Sequence, residues 1–281
     1  MQALLSIYAW TIAASTILGS ALALLGVQLA ARDRAMQTMC IGQGAMLGVL
    51  VGIGFFLGFE ATPALSAAGP FALAFAASAL TYVVSERLAS RHGASTNTHF
   101  AALFSALLAG GYLISALFPA LENHMAQRYF GDLATISRGE SITALMMGLL
   151  IFTALCWFQR SISRDSFAVA ILGSKASTTP TGFLFSLGTL LSICFCVQIV
   201  GFLFTVACLF LPTSILSFSR NAGLKSHLIT CALTAGLASL SGFTASLWFT
   251  HLPTVPTIVA LMVVFAILIK NLVGQRVYKP A

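Results

Sequence analysis

The chain has 281 residues, of which 58% are hydrophobic and only 7% charged, with a mean hydropathy of +0.96. An ordinary soluble domain carries about 25% charged residues, so this composition excludes a soluble enzyme, a nucleic-acid binder and a secreted disulfide scaffold. It leaves an all-α integral membrane protein. The net charge of +7 is not a nucleic-acid footprint, because the positions of the charges explain it otherwise.

A first span is predicted over residues 6–31, ending in Arg32-Asp33-Arg34. Its start lacks a basic region and a small-residue cleavage site, so a retained helix is expected and not a signal peptide. A second span covers 36–59, and a third covers 69–84 after a short connection with Glu60 and Pro63. Residues 85–99, with Glu86, Arg87, Arg91 and His92, form a cytoplasmic stretch. The fourth span, 100–118, leaves into a polar segment over 121–140 that is long for so compact a chain, a property often tied to function. The fifth span, 142–157, leads to Arg160 and Arg164. Residues 161–181 are mixed, with an apolar middle over 167–172 too short to span, and are expected as a loop or a short surface helix. Residues 182–219 are almost continuously apolar and fit two spans with a tight turn near 198–201, or one broken helix. Spans at 228–249 and 256–269 follow, with His251-Leu252-Pro253 between them and a basic tail after Lys270. The count is about eight or nine transmembrane helices in a single transmembrane domain over 1–281.

Arg32, Arg34, Arg87, Arg91, Arg160, Arg164, Lys175, Arg220, Lys225, Lys270, Arg276 and Lys279 fall in alternate connections, the pattern of cytoplasmic segments. The bilayer is therefore the surrounding medium, with the N-terminus outside and the C-terminus cytoplasmic. All seven acidic residues lie at predicted helix ends or in connections. An intramembrane carboxylate or imidazole, the usual mark of a proton relay, is missing, which counts against an ion-coupled secondary transporter. The six cysteines sit inside apolar runs and are expected as packing residues.

In the second span Gly44, Gly48 and Gly52 recur every four residues, and Gly54 and Gly58 repeat the spacing. Such spacing permits close helix approach. On the same helix Met36, Met39, Cys40, Gln43 and Met46 are three or four residues apart and share one face. That face is either a flexible packing stripe or a path with soft sulfur ligands.

Five short motifs in a fixed order carry a resemblance. The run Gln43-Gly44-Ala45-Met46-Leu47-Gly48-Val49, the segment Tyr129-Phe130-Gly131-Asp132-Leu133 with Ser137, and Asp165 with Ala170 and Gly173 are three of them. Val200-Gly201-Phe202-Leu203 through Leu211-Pro212-Thr213, and Gly242 with Leu252-Pro253 and Ile258, are the others. Together they resemble the metal-type ABC transporter permeases, which import zinc, manganese or iron.

The resemblance implies a homodimeric pore in the bacterial inner membrane, driven by alternating access. It also implies a separate cytosolic ATPase docked on the segment Asp165, Ala170, Gly173, and an extracytoplasmic substrate-binding protein. The chain itself is then no enzyme and binds no cofactor, since ATP is used by the partner subunit; no Gly-x-x-x-x-Gly-Lys-Ser/Thr run occurs in it. Gly48, Phe130, Gly131, Asp132, Gly201, Pro212 and Pro253 become structural motif residues.

The family carries an Asp and a His four residues apart on its second helix. Met39 and Gln43 stand at those positions here, so the translocation path is assigned to Met39, Gln43, Met36 and Cys40, and the metal is left open. A softer metal, a chelated or organic cargo, a metal without a specific site, and a permease that has lost transport all fit this exchange. A cobalamin or siderophore permease is the alternative within the ABC class.

Overall fold

The computed structural model describes residues 2–57, 63–92, 96–118, 121, 129–131, 133–172, 180–216, 223–249 and 251–277. The protein is all-helical over these residues. The long helices are α1 (Gln2–Ala31), α2 (Ala35–Leu57), α3 (Pro63–His92), α4 (Thr96–Leu117), α5 (Arg138–Leu172), α6 (Pro180–Ile199), α7 (Phe202–Ile215), α8 (Leu224–Trp248) and α9 (Thr254–Val277). Eight are long and apolar enough to cross a membrane, and α7 is the exception. In hydrocarbon every backbone N–H and C=O must be satisfied within the segment, which selects the helix for each apolar run. Many hydroxyls inside these runs find partners the same way: Thr16 Oγ1 donates to the Ile12 carbonyl at 2.7 Å, and Thr81 Oγ1 to that of Ala77 at 2.8 Å.

Two expectations are corrected. Residues 161–172 form neither a loop nor a separate surface helix; they continue α5, which runs unbroken for 35 residues and is about 52 Å long. The stretch expected in the cytoplasm after residue 84 is helical where it is described, since α3 extends to His92 and α4 begins at Thr96. The block 182–219 does turn at Val200 and Gly201, but only α6 is of spanning length. α7 has 14 residues and extends only about 21 Å.

The chain forms two compact units. The first comprises Met1–Arg32, Asp132–Leu172 and Phe204–Ala281. In it α1 packs on α5 and α8, and α8 packs on α9. Glycines set the approach. A side chain at Gly148 of α5 would meet the Leu18 backbone at 3.2 Å, and one at Gly242 of α8 would lie 2.6 Å from the Ile258 Cα of α9. Gly26 of α1 faces the Leu209 carbonyl so closely that no Cβ fits. Leu18, Leu22, Phe243, Ile258 and Met262 are fully buried.

The second unit comprises Asp33–Gly131 and Gly173–Leu203. Here α2 packs on α3, α4 and α6, and α3 also packs on α6. The glycine row of α2 faces α3: Gly44 lies against Thr81, Gly48 would bring a Cβ 2.5 Å from the Leu73 carbonyl oxygen, and Gly52 one 2.6 Å from the Pro70 Cα. Lipid tails are as apolar as leucine, so this close backbone packing, and not hydrophobic burial, is what holds α2 to α3. At one end of the pair Arg34 forms an ion pair with Glu86 at 2.6 Å, and Gln37 Nε2 donates to Glu86 and to Ser85 Oγ, both at 2.9 Å.

Candidate functional site: a buried amide on α2 and the far end of α5

The face of α2 next to its glycine row carries the residues assigned to the path. Cys40 is fully buried, and its thiol donates to the Phe100 carbonyl of α4 at 3.1 Å. Further along, Leu47 lies 3.0 Å from where a Cβ of Gly110 would stand, and Leu50 lies near Gly111. Gln43 falls between Cys40 and Leu47 at helical spacing, on the side turned to α4. It is 1% exposed, and its Oε1 has no hydrogen-bond partner. Met36 and Met39 are half-buried, and Met46 is buried. Among the described residues no three His, Cys, Asp or Glu side chains converge on a point that could hold a metal ion. The chemistry on offer is therefore one uncommitted amide oxygen, able to accept a hydrogen bond or to face a cation, with sulfur beside it.

Aromatic rings lie next to this face. A side chain at Gly42 would touch the Phe202 ring at 3.0 Å. The Phe202 ring centroid is 6.3 Å from that of Phe104 and 5.5 Å from that of Tyr129, and Tyr129 meets Phe130 edge-on at 5.4 Å. Of the connection after α4, Leu121 is fully buried and Tyr129 packs on the Phe202 ring that also meets Phe104. Burial first, and then Tyr112 beside it, raise the pKa of the Tyr129 phenol, so the ring is neutral at working pH. Backbone bends place these rings: Gly131 has φ 74° and Gly201 φ 99°, both in the left-handed region open to glycine. Phe130 itself is 54% exposed. Asp132 lies outside the described residues. Pro212 is buried within α7, and Pro253 is exposed just before α9, its carbonyl accepting from Thr257.

At the far end of α5, Asp165 is half-buried and Ala170 lies in the last turns of the helix; Gly173 falls outside the described residues. The sequence reading missed what anchors this end. Arg32, expected in a cytoplasmic connection, is only 7% exposed, and its Nε donates to Ser166 Oγ at 2.9 Å. Ser166 Oγ donates to Gln28 Oε1 at 3.0 Å, and Gln28 Nε2 donates to Ser163 Oγ at 3.1 Å. The available signal was Ser163 and Ser166 three residues apart on one helical face, beside a helix that ends in Gln28 and Arg32.

The fold is similar to that of solved transporters. PsaBC from Streptococcus pneumoniae in complex with Fab aligns at 19% identity over 92% of this chain and 89% of that chain, with a TM-score of 0.72. A metal-chelate type ABC transporter in an inward-facing conformation aligns at 19% identity over 94% of this chain and 85% of that one, with a TM-score of 0.62. Comparison with curated protein sequences finds no match. The model of the ABC 3 transport family matches residues 5–272, nearly the whole length, and the chain therefore belongs to that family.

Proposed function

We propose that the chain is the membrane-spanning permease subunit of an ATP-driven importer for a metal ion of the zinc, manganese or iron class, or for a complex of such a metal. The observation that carries this reading is the family match over residues 5–272. The rest of the reading builds on that membership. Two copies form the pore, a separate cytosolic ATPase docks beneath the end of α5 at Asp165, Ala170 and Gly173, and an extracytoplasmic binding protein delivers the cargo. ATP hydrolysis then drives alternating access in the bacterial inner membrane.

Within each copy, cargo passes the α2 face bearing Met36, Met39, Cys40 and Gln43. A neutral amide and thioethers give a divalent ion no charged partner there, so binding on this face is weak and release is easy. The orphaned Gln43 oxygen supports the assignment, because a buried acceptor without a partner is suited to a transient one.

Coexpression of the chain with an ABC ATPase and its binding protein tests the reading. A complex that copurifies and takes up zinc, manganese, iron or a chelate of one of them into proteoliposomes, only with ATP inside the assay, is the expected result. A chain that retains no ATPase, and vesicles whose uptake ignores ATP, would overturn it.

A further inference from the structure

Unit 1 contains a groove of about 440 Å³ between α1, α5 and α8. Its walls are largely apolar: Leu24, Phe152, Leu155, Leu228 and Leu233 contribute, and the outward side chains of Ile229 and Leu233 are 58% and 57% exposed. The polar groups gather at one end. Lys225, in the first turn of α8, is exposed there, and Gln159 of α5 lines the same end. Gln28 is already engaged by Ser163 and Ser166, and Ser20, at the opposite end, donates to the Ala232 carbonyl. Lys225 and Gln159 are thus the donors facing the groove.

The dimensions fit one leaflet. Along α1 the groove runs from Gln28 to Ser20, and along α8 from Lys225 to Leu233. Each distance is eight residues, about 12 Å, close to half of the ~30 Å hydrocarbon core. The basic end is the end that also bears Arg32, Arg160 and Arg164, the side that positive charge assigns to the cytoplasm. A second groove, along α8 and α9, is lined by Leu237, Leu240, Phe265 and Leu268 with three hydroxyl residues and no charged group. Those hydroxyls, of Thr234, Ser241 and Thr244, all bond carbonyls of their own helix. A cation at the headgroup end therefore distinguishes the first groove from ordinary lipid-facing surface.

We propose that the groove between α1, α5 and α8 is a binding site for an anionic phospholipid of the cytoplasmic leaflet, with an acyl chain along Leu24, Phe152 and Leu233 and the phosphate held by Lys225 and Gln159. An anionic headgroup is matched by a lysine at membrane-surface depth, and basic pockets between spanning helices recognise such lipids. The site goes beyond the transport reading and needs only the orientation of the chain in the membrane, so uptake and lipid binding can fail independently.

Cys156 makes the test direct. It lines the groove and is the only exposed cysteine of the six. The full-length chain, carrying a fluorophore on Cys156, is reconstituted in phosphatidylcholine bilayers that contain, at equal mole fraction, either brominated phosphatidylglycerol or brominated phosphatidylcholine. Quenching by the anionic lipid is expected to be about fivefold more effective, the factor that one surface lysine confers. Lys225→Gln, a change at an exposed position, should bring the two lipids level, and millimolar inorganic phosphate should leave the wild-type preference intact. Equal quenching in the wild type, a preference that survives Lys225→Gln, or one abolished by phosphate alone would overturn the proposal. So would a pair of copies cross-linked through Cys156 with quenching by neither lipid, which would make the groove a contact between copies.

Discussion

Gln43 has almost no exposed surface and leaves its Oε1 without a partner, a condition that costs about 1–3 kcal/mol wherever it occurs in a protein interior. An apolar side chain of the same length removes that cost. Gln43→Met is expected to raise the thermal midpoint of the detergent-solubilised chain by a few degrees and, in the assembled transporter, to lower ATP-driven uptake severalfold. Lower stability in this variant would show that the oxygen has a partner in the working protein. The neighbouring thiol behaves differently. Cys40 is tied to the Phe100 carbonyl, so it contributes packing and an anchor to α4, and the uncommitted polar atom of this face belongs to Gln43 alone among Met36, Met39, Cys40 and Gln43. That the four share a face was legible from their spacing of three and four residues. Which of them is satisfied was not, because the partner of Cys40 lies sixty residues away.

The centres of the helices were legible for the same physical reason that makes them helices. An apolar run in hydrocarbon has no alternative to internal hydrogen bonding, and each predicted span from the first to the fifth centres on an observed helix, with the second and fourth predicted to end one or two residues past Leu57 and Leu117. Their ends were not legible. Hydropathy falls where a helix leaves the membrane, yet the helix need not stop there: α3 runs on through Glu86 and Arg87, and α5 through Arg160, Arg164 and Asp165. On α5 the continuation is held by α1. Ser166 is 1% exposed and accepts from Arg32 while donating to Gln28, so one small side chain locks two helices at the end assigned to the ATPase. In the proposed transporter a stiff α5 carries displacement at that end along its length, and this lock keeps α1 in register with it. Ser166→Ala removes both hydrogen bonds to α1, together with the one to the Ile162 carbonyl of its own helix, and one of the groups left behind is a buried guanidinium; a loss of about 1–3 kcal/mol is expected. The functional signature is separable from that loss. ATP hydrolysis by the assembled transporter should persist while uptake per ATP falls, and Ser166→Thr, which keeps the hydroxyl, should restore it. Proportional loss of both activities would assign Ser166 to stability alone.

At the scale of the whole chain, charge decides orientation and helix count does not. α7 extends about 21 Å, short of the ~30 Å core, so arguments from an odd or even number of crossings depend on how the turn at Val200 and Gly201 is placed. The distribution of lysine and arginine is free of that dependence. α8 alone separates Gly223 from His251, both exposed, and it is a full-length span. In the sequence Arg220 and Lys225 flank Gly223, while no lysine or arginine falls between residues 249 and 254. By the positive-inside rule Gly223 is expected in the cytoplasm and His251 outside. With Cys156 replaced by serine, the five remaining cysteines are buried and give a quiet background for thiol labelling. In intact cells a membrane-impermeant maleimide should modify His251→Cys and spare Gly223→Cys, and permeabilised cells should label both. The reverse pattern would turn the molecule over, moving the end of α5 away from any cytosolic ATPase and Lys225 away from the inner leaflet.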